Sequence, residues 1–472
     1  MDKGSIVSIL IPQPKVKHLM NRASFGLGIS EDAGNTQQLF QKSRKIIPLD
    51  MVKIPELDKI DLRSLKNDPT KKQMIKDLLG KSRQEFMKLN VAWVDKMVSE
   101  STLRERMTFF WHGHFACRTL IPYFAQQQNN AIRALALGSF RDLLISISKD
   151  PAMLQFLNNQ QNRKDHPNEN FAREVMELFT LGRGNYSEKD IKEAARAFTG
   201  WSFNTAGQYQ FREKQHDFGN KIFRGKSKNF TGEEVINSIL DDKASAKFIT
   251  IKLYKYFVSD SNISPSAIED WSTSFYNSDY DIQKLLTKIF NSSEFNDPSN
   301  IATRIKSPVD LLIGIQRQTN GRFDNPQSLV FLERALGQIL FYPPNVSGWP
   351  SGKGWIDSSS LAFRLTIPML LFGGVETDFE ARDDGDANGL GKEERSKRKL
   401  QCNADWAYLA DKFTKTSSSD TLQSVQEFLL SKNTTAANQQ TVGRVASAAT
   451  NDQEFIKKAF IGYMSVPEYQ LC

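Results

Sequence analysis

The sequence predicts a mainly α-helical globular protein, a multi-helical array with long ordered loops and little or no sheet. Three observations carry this. Apolar residues recur at helical spacing through most of the chain, helix-capping patterns stand at the starts of those segments, and no sustained period-two alternation appears. At 472 residues, with 39% hydrophobic residues and 32 Phe, the chain can build a large core. The expected division is a main helical domain over 1–372, a charged insertion over 373–400, and a helical extension over 401–472 that packs back on the main domain.

The elements follow in order. From Pro69 to Met97, Phe86, Trp93, Val94 and Met97 lie among the apolar positions of a long helix. Thr102-Leu103-Arg104-Glu105 is a capping-box pattern, in which hydroxyl and carboxylate reciprocally satisfy free N–H groups. It opens a segment whose stripe is Leu103, Met107, Phe110 and His114. Asn170–Leu181 reads as one helix with Gly182 as its stop, and Ser187 to Asp190 caps another that carries Ile191, Ala194, Ala195 and Phe198. Further helices fit Thr231–Leu240, Ser245–Phe257, Asp281–Phe290, Pro308–Arg317 and Ser328–Leu340. The apolar run Leu361–Phe372 is too short to span a membrane.

Composition excludes several classes. The net charge of +8 is spread among 54 acids rather than clustered, so no nucleic-acid footprint is expected. Cys117, Cys402 and Cys472 are odd in number and far apart, which gives neither a disulfide framework nor a Cys-rich zinc site. No apolar run reaches the length of a spanning helix, so no transmembrane segment is expected. Ile6–Ile11 is shorter than a signal core, and no small-residue cleavage site follows it. On this reading the chain is cytoplasmic.

Glu376–Lys399 is rich in Asp, Glu, Gly, Lys and Arg and reads as a surface insertion. Asp384 to Gly389 opens like an EF-hand loop. The twelfth position, which needs a bidentate Glu, is Arg395, so the decisive ligand carries the wrong sign.

Of five histidines, four fall between His112 and His216, among several carboxylates. His and carboxylate together are the ligand set of Zn, Fe or Mn, which makes a transition metal the candidate cofactor. In Phe110-Trp111-His112-Gly113-His114-Phe115 the two imidazoles converge only if the backbone leaves the helix at Gly113. On a regular helix they diverge by about 200°, and His114 then reads as a hydrogen-bonded core histidine. Glu174 and Glu177 are three apart on one helix face, spaced to bridge a metal or to work as an acid/base pair. The ordinary alternative is a wet surface pair of Arg173 with Glu177. Gln215-His216-Asp217 offers a ligand with its outer-shell partner, or a solvated loop. The run from Phe341 to Trp355 is a rigid aromatic, Gly and Pro loop that either lines a pocket or plugs a core; Asn345, Trp349 and Trp355 are its candidate binding residues. No G-x-S-x-G, P-loop or dinucleotide fingerprint occurs.

Taken together, His18–Gly26, Trp111–Phe115, Asn168–Gly182, Ala194–Trp201, Asp217–Phe230, Lys306–Val309 and Pro343–Trp349 resemble, in order, the motifs of the bacterial family catalogued as domain of unknown function 1800. The likeness runs from about His18 to Leu365, with a weaker stretch at Ser465–Gln470. The resemblance implies kinship of fold. It also implies a shared polar site that maps onto His112, His114, Glu169, Glu174 and Glu177. Members of that family are often exported, which implies a periplasmic or exported location in place of a cytoplasmic one. Their genes often neighbour a family related to sulfatases, which implies a functional association with it.

Two functions follow from these residues. The first is a metal-dependent or carboxylate-based enzyme, of hydrolase type. His112, His114, His216, Glu174 and Glu177 would hold the ion, and Glu169, Glu174 and Glu177 would supply the catalytic carboxylates. The second is a non-enzymatic binding or assembly module in which the same residues form a buried hydrogen-bond network. Convergence of these side chains in one concave pocket separates the first from the second.

Overall fold

The computed structural model describes residues 13–29, 31, 34–53, 69–377 and 398–472. Ile6–Ile11 lies outside them, as do the Asp384–Gly389 loop and most of the charged insertion.

The described chain is mainly helical, and its strands are short. The long helix Pro69–Glu100 precedes Leu103–His114, and helices Pro122–Leu135, Phe140–Ser148 and Pro151–Phe156 follow. Strands pair antiparallel two by two: Trp201–Phe203 with Tyr209–Phe211, Lys221–Phe223 with Lys226–Lys228, Arg322–Phe323 with Cys402–Asn403, and Glu376–Thr377 with Arg398–Lys399. The last pair brings together the two ends of the charged insertion. No described helix is long and apolar enough to cross a membrane.

The caps sit where the sequence placed them. Ser187 and Thr231 form complete capping boxes with Asp190 and Glu234. Pro stands at the first turn of several helices, after Asp150, Ser264 and Asn325, because its missing N–H is one the helix start leaves unpaired anyway. Two expectations change. Thr102 does accept from the Glu105 amide at 3.3 Å, but the Glu105 carboxylate does not return to the cap. It turns inward to the guanidinium of Arg133, at 2.6 and 3.1 Å, and to Trp93 Nε1 at 3.0 Å, because a fully buried Arg needs a counter-charge more than the half-buried cap needs an acceptor. The helix expected over Ser328–Leu340 is Pro326–Ala335. Its C-terminal side is followed by Gly337 and Phe341, both with positive φ, which turn the chain into the aromatic loop.

Buried apolar side chains form two clusters. One runs from Leu19 through Phe115, Phe140, Phe179 and Trp201 to Phe295. The other joins Trp93, Val309, Ile313 and Phe341 to Phe363, Phe413, Phe428, Phe460 and Tyr469, so the helices after residue 400 share a core with Pro308–Thr319 and Ser358–Phe372. At roughly 1.5–3 kcal/mol for each large apolar side chain, this shared burial holds the C-terminal helices in place. The Leu103–His114 helix contributes to both clusters, Trp111 to the first and Phe109 to the second.

Candidate functional site

The helix runs unbroken to His114, so the two imidazoles of His112 and His114 face opposite cores. His112 is 2% exposed and packs edge-on to Trp93 and Phe341, with ring centroids 5.0 and 5.1 Å away. Its Nε2 accepts the Phe341 amide at 3.2 Å, which places the ring proton on Nδ1. Burial, and then the charge of Arg133, pull its pKa down to about 3. His114 lies against Phe115 and Phe179, with centroids 4.5 and 6.0 Å away. Its Nε2 donates to the Phe179 carbonyl at 3.2 Å, and its Nδ1 accepts from Lys252 Nζ at 3.0 Å. A metal binds the imidazole lone pair, and in both rings that lone pair already holds an N–H donor.

Glu174 and Glu177 stand at a change of helical register. The helix Glu169–Glu174 passes into a π-turn, Val175–Thr180, in place of the single regular helix expected over Asn170–Leu181. The Thr180 hydroxyl takes the Val175 carbonyl at 2.6 Å, and the Leu181 amide reaches back to Met176 O at 2.8 Å. Leu178 O and Phe179 O are answered from outside by Lys252 Nζ and His114 Nε2. Such turns cluster at functional positions. Here the π-turn gives its inner face to His114 and its outer face to a chain of charges. Glu177 accepts from Arg183 Nε at 2.5 Å and Tyr186 OH at 2.6 Å, and Arg173 makes a bidentate pair with Glu188, at 2.8 and 2.9 Å. Glu169 lies 3.4 Å from Arg173. In place of the surface pair of Arg173 with Glu177, Arg173 thus turns to Glu188 and Glu169, and Glu177 to Arg183 and Tyr186. Burial, and then the neighbouring Glu177, raise the pKa of Glu174, while Tyr186 and Arg183 lower that of Glu177.

His216 is buried in a third place. Its Nδ1 donates to Thr199 O at 2.8 Å, and its ring lies between Phe211 and Phe218, with centroids 5.1 and 4.7 Å away. Gly200 makes this possible. At φ +80° it brings the chain so close that a β-carbon there would stand 2.8 Å from Arg212 O and 3.3 Å from the His216 β-carbon. The Asp217 carboxylate accepts from Arg196 Nε at 2.7 Å, and the imidazole proton goes to Thr199 O instead.

The aromatic loop plugs the end of the His112 helix. Trp349 rests 5.4 Å from the His112 ring, Trp355 is buried, and Asn345 caps its own turn through the Ser347 amide at 2.8 Å. The expected ligand set therefore occupies three separate environments. Among the described residues no three His, Cys, Asp or Glu side chains come together so as to hold a metal ion. A surface groove near 1060 Å³, lined by Asp270, Asp279, Asp281, Gln283, Lys284 and Lys288, contains none of the candidate site residues expected from sequence.

Sequence reasoning missed the buried ion pairs Arg106–Asp310, Arg304–Asp310 and Arg133–Glu105. A charged residue on an apolar stripe, such as Arg106 one position before Met107, is the signal that could have found them.

The fold and this geometry define a mainly helical protein whose two cores meet across the helix of His112 and His114. The family described as protein of unknown function (DUF1800) matches residues 18–471, and the chain belongs to it. The match continues through the C-terminal helices, which complete the second core. No curated protein and no solved structure matches the chain.

Proposed function

We propose that this protein is a binding or assembly module that grips an acidic, partly apolar segment of a partner protein at the Phe211–His216–Phe218 knuckle. One observation carries the reading. Phe211 and Phe218 are 46% and 55% exposed, yet both are held against a buried, hydrogen-bonded imidazole. Exposed rings with little freedom left to lose bind at low entropic cost. Charge selects the partner. The Lys164 amide bonds to Gln215 O at 2.8 Å, which sets the 163–166 turn beside the knuckle. Exposed Arg163, Lys164, Arg212 and Lys214 there outnumber Asp165 and Glu213. The separation of His112, His114 and His216 also supports this reading over a common metal site.

The probe is a fluorescent 15-residue peptide that alternates Glu and Leu, with a single-stranded RNA of equal length as competitor. Binding that weakens with salt, and that falls at least ~10-fold in Phe211→Ser/Phe218→Ser, is expected. Equal binding by the double variant, or tighter binding of the RNA, would end this reading.

A second reading rests on Glu174 and Glu177. Neighbouring carboxyls whose pKa values move apart are the arrangement of a general acid beside an ionised carboxylate. Glu174, the carboxyl that releases its proton less readily, would be the acid and Glu177 the ionised partner, with Glu169 at the same helix start. Turnover of an ester or glycoside panel that disappears in Glu174→Gln, with the fold intact, is its test. Turnover equal in wild type and variant would remove it.

A further inference from the structure

The strand Tyr209–Phe211 leads into the Phe211–His216–Phe218 knuckle, and its outer edge is open. Its register with Trp201–Phe203 pairs Trp201 with Phe211, Ser202 with Gln210 and Phe203 with Tyr209. The ladder continues past both ends, where the Arg212 amide donates to Gly200 O at 2.7 Å and the Asn204 amide to Gln208 O at 2.9 Å. In an antiparallel ladder, hydrogen-bonded pairs alternate with non-bonded ones. Gly200–Arg212, Ser202–Gln210 and Asn204–Gln208 are therefore the bonded pairs. The N–H and C=O groups of Tyr209 and Phe211 point the other way, out of the ribbon, and have no partner among the described residues.

This edge lacks the usual guards. The strand holds no Pro, no charged residue and no bulge, and Gln210 and Phe211 are exposed while Tyr209 is half-buried. It is also fixed in place. The Tyr209 ring lies edge-on to Trp201 at 5.8 Å and under Lys149 Nζ at 5.1 Å, and the Phe211 ring rests on buried His216. The neighbouring hairpin differs. There Glu193 takes the Ile222 amide at 2.8 Å and Asp190 takes the Arg224 amide at 2.9 Å, which closes the Lys221–Phe223 edge. On Lys226–Lys228 only Ser227, opposite Ile222, turns outward, and it stands between two lysines.

Tyr209 and Phe211 each offer one donor and one acceptor, repeated at the spacing of about 6.8 Å between alternate strand residues. An extended polypeptide backbone presents the complement; neither a polynucleotide nor an inorganic ion does. Resting on the binding function proposed above, we infer that the partner segment docks on this edge as a third, antiparallel strand. Side chains of Tyr209 and Phe211 share one face of the strand, and those of Gln210 and Arg212 the other. A segment that alternates apolar and acidic residues then sets the first beside Phe211 and the second beside Arg212, and its main chain supplies the hydrogen bonds.

The probe is the same Glu and Leu peptide in two further forms, one N-methylated at every Leu and the other at every Glu. In the antiparallel register, the residue opposite Phe211 turns its N–H to the edge and its side chain to the Phe211 face. Leu N–H groups therefore face the protein and Glu N–H groups face solvent. Methylation at Leu is expected to weaken binding to the full chain at least ~10-fold, and methylation at Glu to leave it within ~2-fold. Equal binding by the two forms, with an unmodified peptide that still depends on Phe211 and Phe218, would overturn the added strand and leave the knuckle as the binding site. Loss confined to the Glu form would overturn the antiparallel direction. An unmodified peptide that does not bind removes the binding function and this inference with it. A free chain that is dimeric, and that the unmodified peptide splits, would assign the edge to a second copy and overturn the partner segment.

Discussion

Gly348 lies against Gly113 so closely that a β-carbon on Gly348 would stand 2.5 Å from the Gly113 carbonyl oxygen. This approach seats the aromatic loop on the end of the Leu103–His114 helix, with Trp349 beside His112 and the Phe341 amide on the His112 ring. Gly348 also sits at φ +82°, which an L side chain adopts only with strain. Gly348→Ala therefore meets two costs at once, backbone strain and a clash with another backbone. We expect a loss of about 2–4 kcal/mol in urea unfolding. Gly337→Ala is the control. It shares the positive φ but has open space at the β-carbon, and should cost only about 1 kcal/mol.

The Glu105–Arg133 pair, 2% and 0% exposed, predicts non-additive mutations. Glu105→Gln leaves the Arg133 guanidinium uncompensated and strips half the charge from the bond to Trp93 Nε1. A loss of roughly 3–5 kcal/mol is expected for this change, and a similar one for Arg133→Met. The double variant removes both charges and should recover at least ~2 kcal/mol relative to the sum of the singles. Additive losses in a double-mutant cycle would show that the charges act independently.

How far the sequence spoke is visible along this same helix. Its start was legible because Thr102 and the stripe of Leu103 and Met107 are local signals, and the helical class follows from many such segments. The directions of His112 and His114 were legible only conditionally. A regular helix sends them apart and a broken one brings them together, and no local residue states which occurs. The decision is made by Gly348 and Phe341, more than two hundred residues away. The π-turn at Val175–Thr180 was not legible, because its extra width is stabilised by Lys252 and His114 from other elements. The knuckle at His216 depends on Gly200 approaching Arg212, again a contact that spacing alone does not encode.

The charged insertion predicts a nick without dissociation. Residues 378–397 include Arg382, Lys392, Arg395 and Lys397 and few large apolar side chains, so trypsin should cut there first. The flanking strands Glu376–Thr377 and Arg398–Lys399 pair with each other, and the helices beyond them share a core with Ser358–Phe372. Two fragments that separate on a denaturing gel should therefore co-elute in gel filtration. First cleavage within Glu169–Thr180, or separation of the fragments under native conditions, would contradict this organisation.

Glu333 predicts the pH dependence of stability. Its side chain is fully buried; Asn90 Nδ2 donates to Oε2 at 2.6 Å, the Leu340 amide donates to the same oxygen at 3.3 Å, and Oε1 has no donor among the described residues. Burial raises its pKa from 4.5 to about 8, and the two donors offset only part of that. Between these values the folded chain holds a proton that the unfolded chain has released. The stabilisation from this group is thus complete below about pH 4.5 and lost as the pH rises through about 8. Over that window the loss is on the order of 3–5 kcal/mol if no other group compensates. Glu333→Gln keeps the size and an acceptor for Asn90, and places an amide where the proton was. The variant should match the wild type near pH 5 and exceed it progressively toward pH 8.5, as measured by urea unfolding at each pH with the ionic strength held fixed. Parallel curves for the two proteins would mean that Glu333 ionises in the folded state at its ordinary pKa, and that water or a movement of the Asn90 side chain reaches the carboxylate.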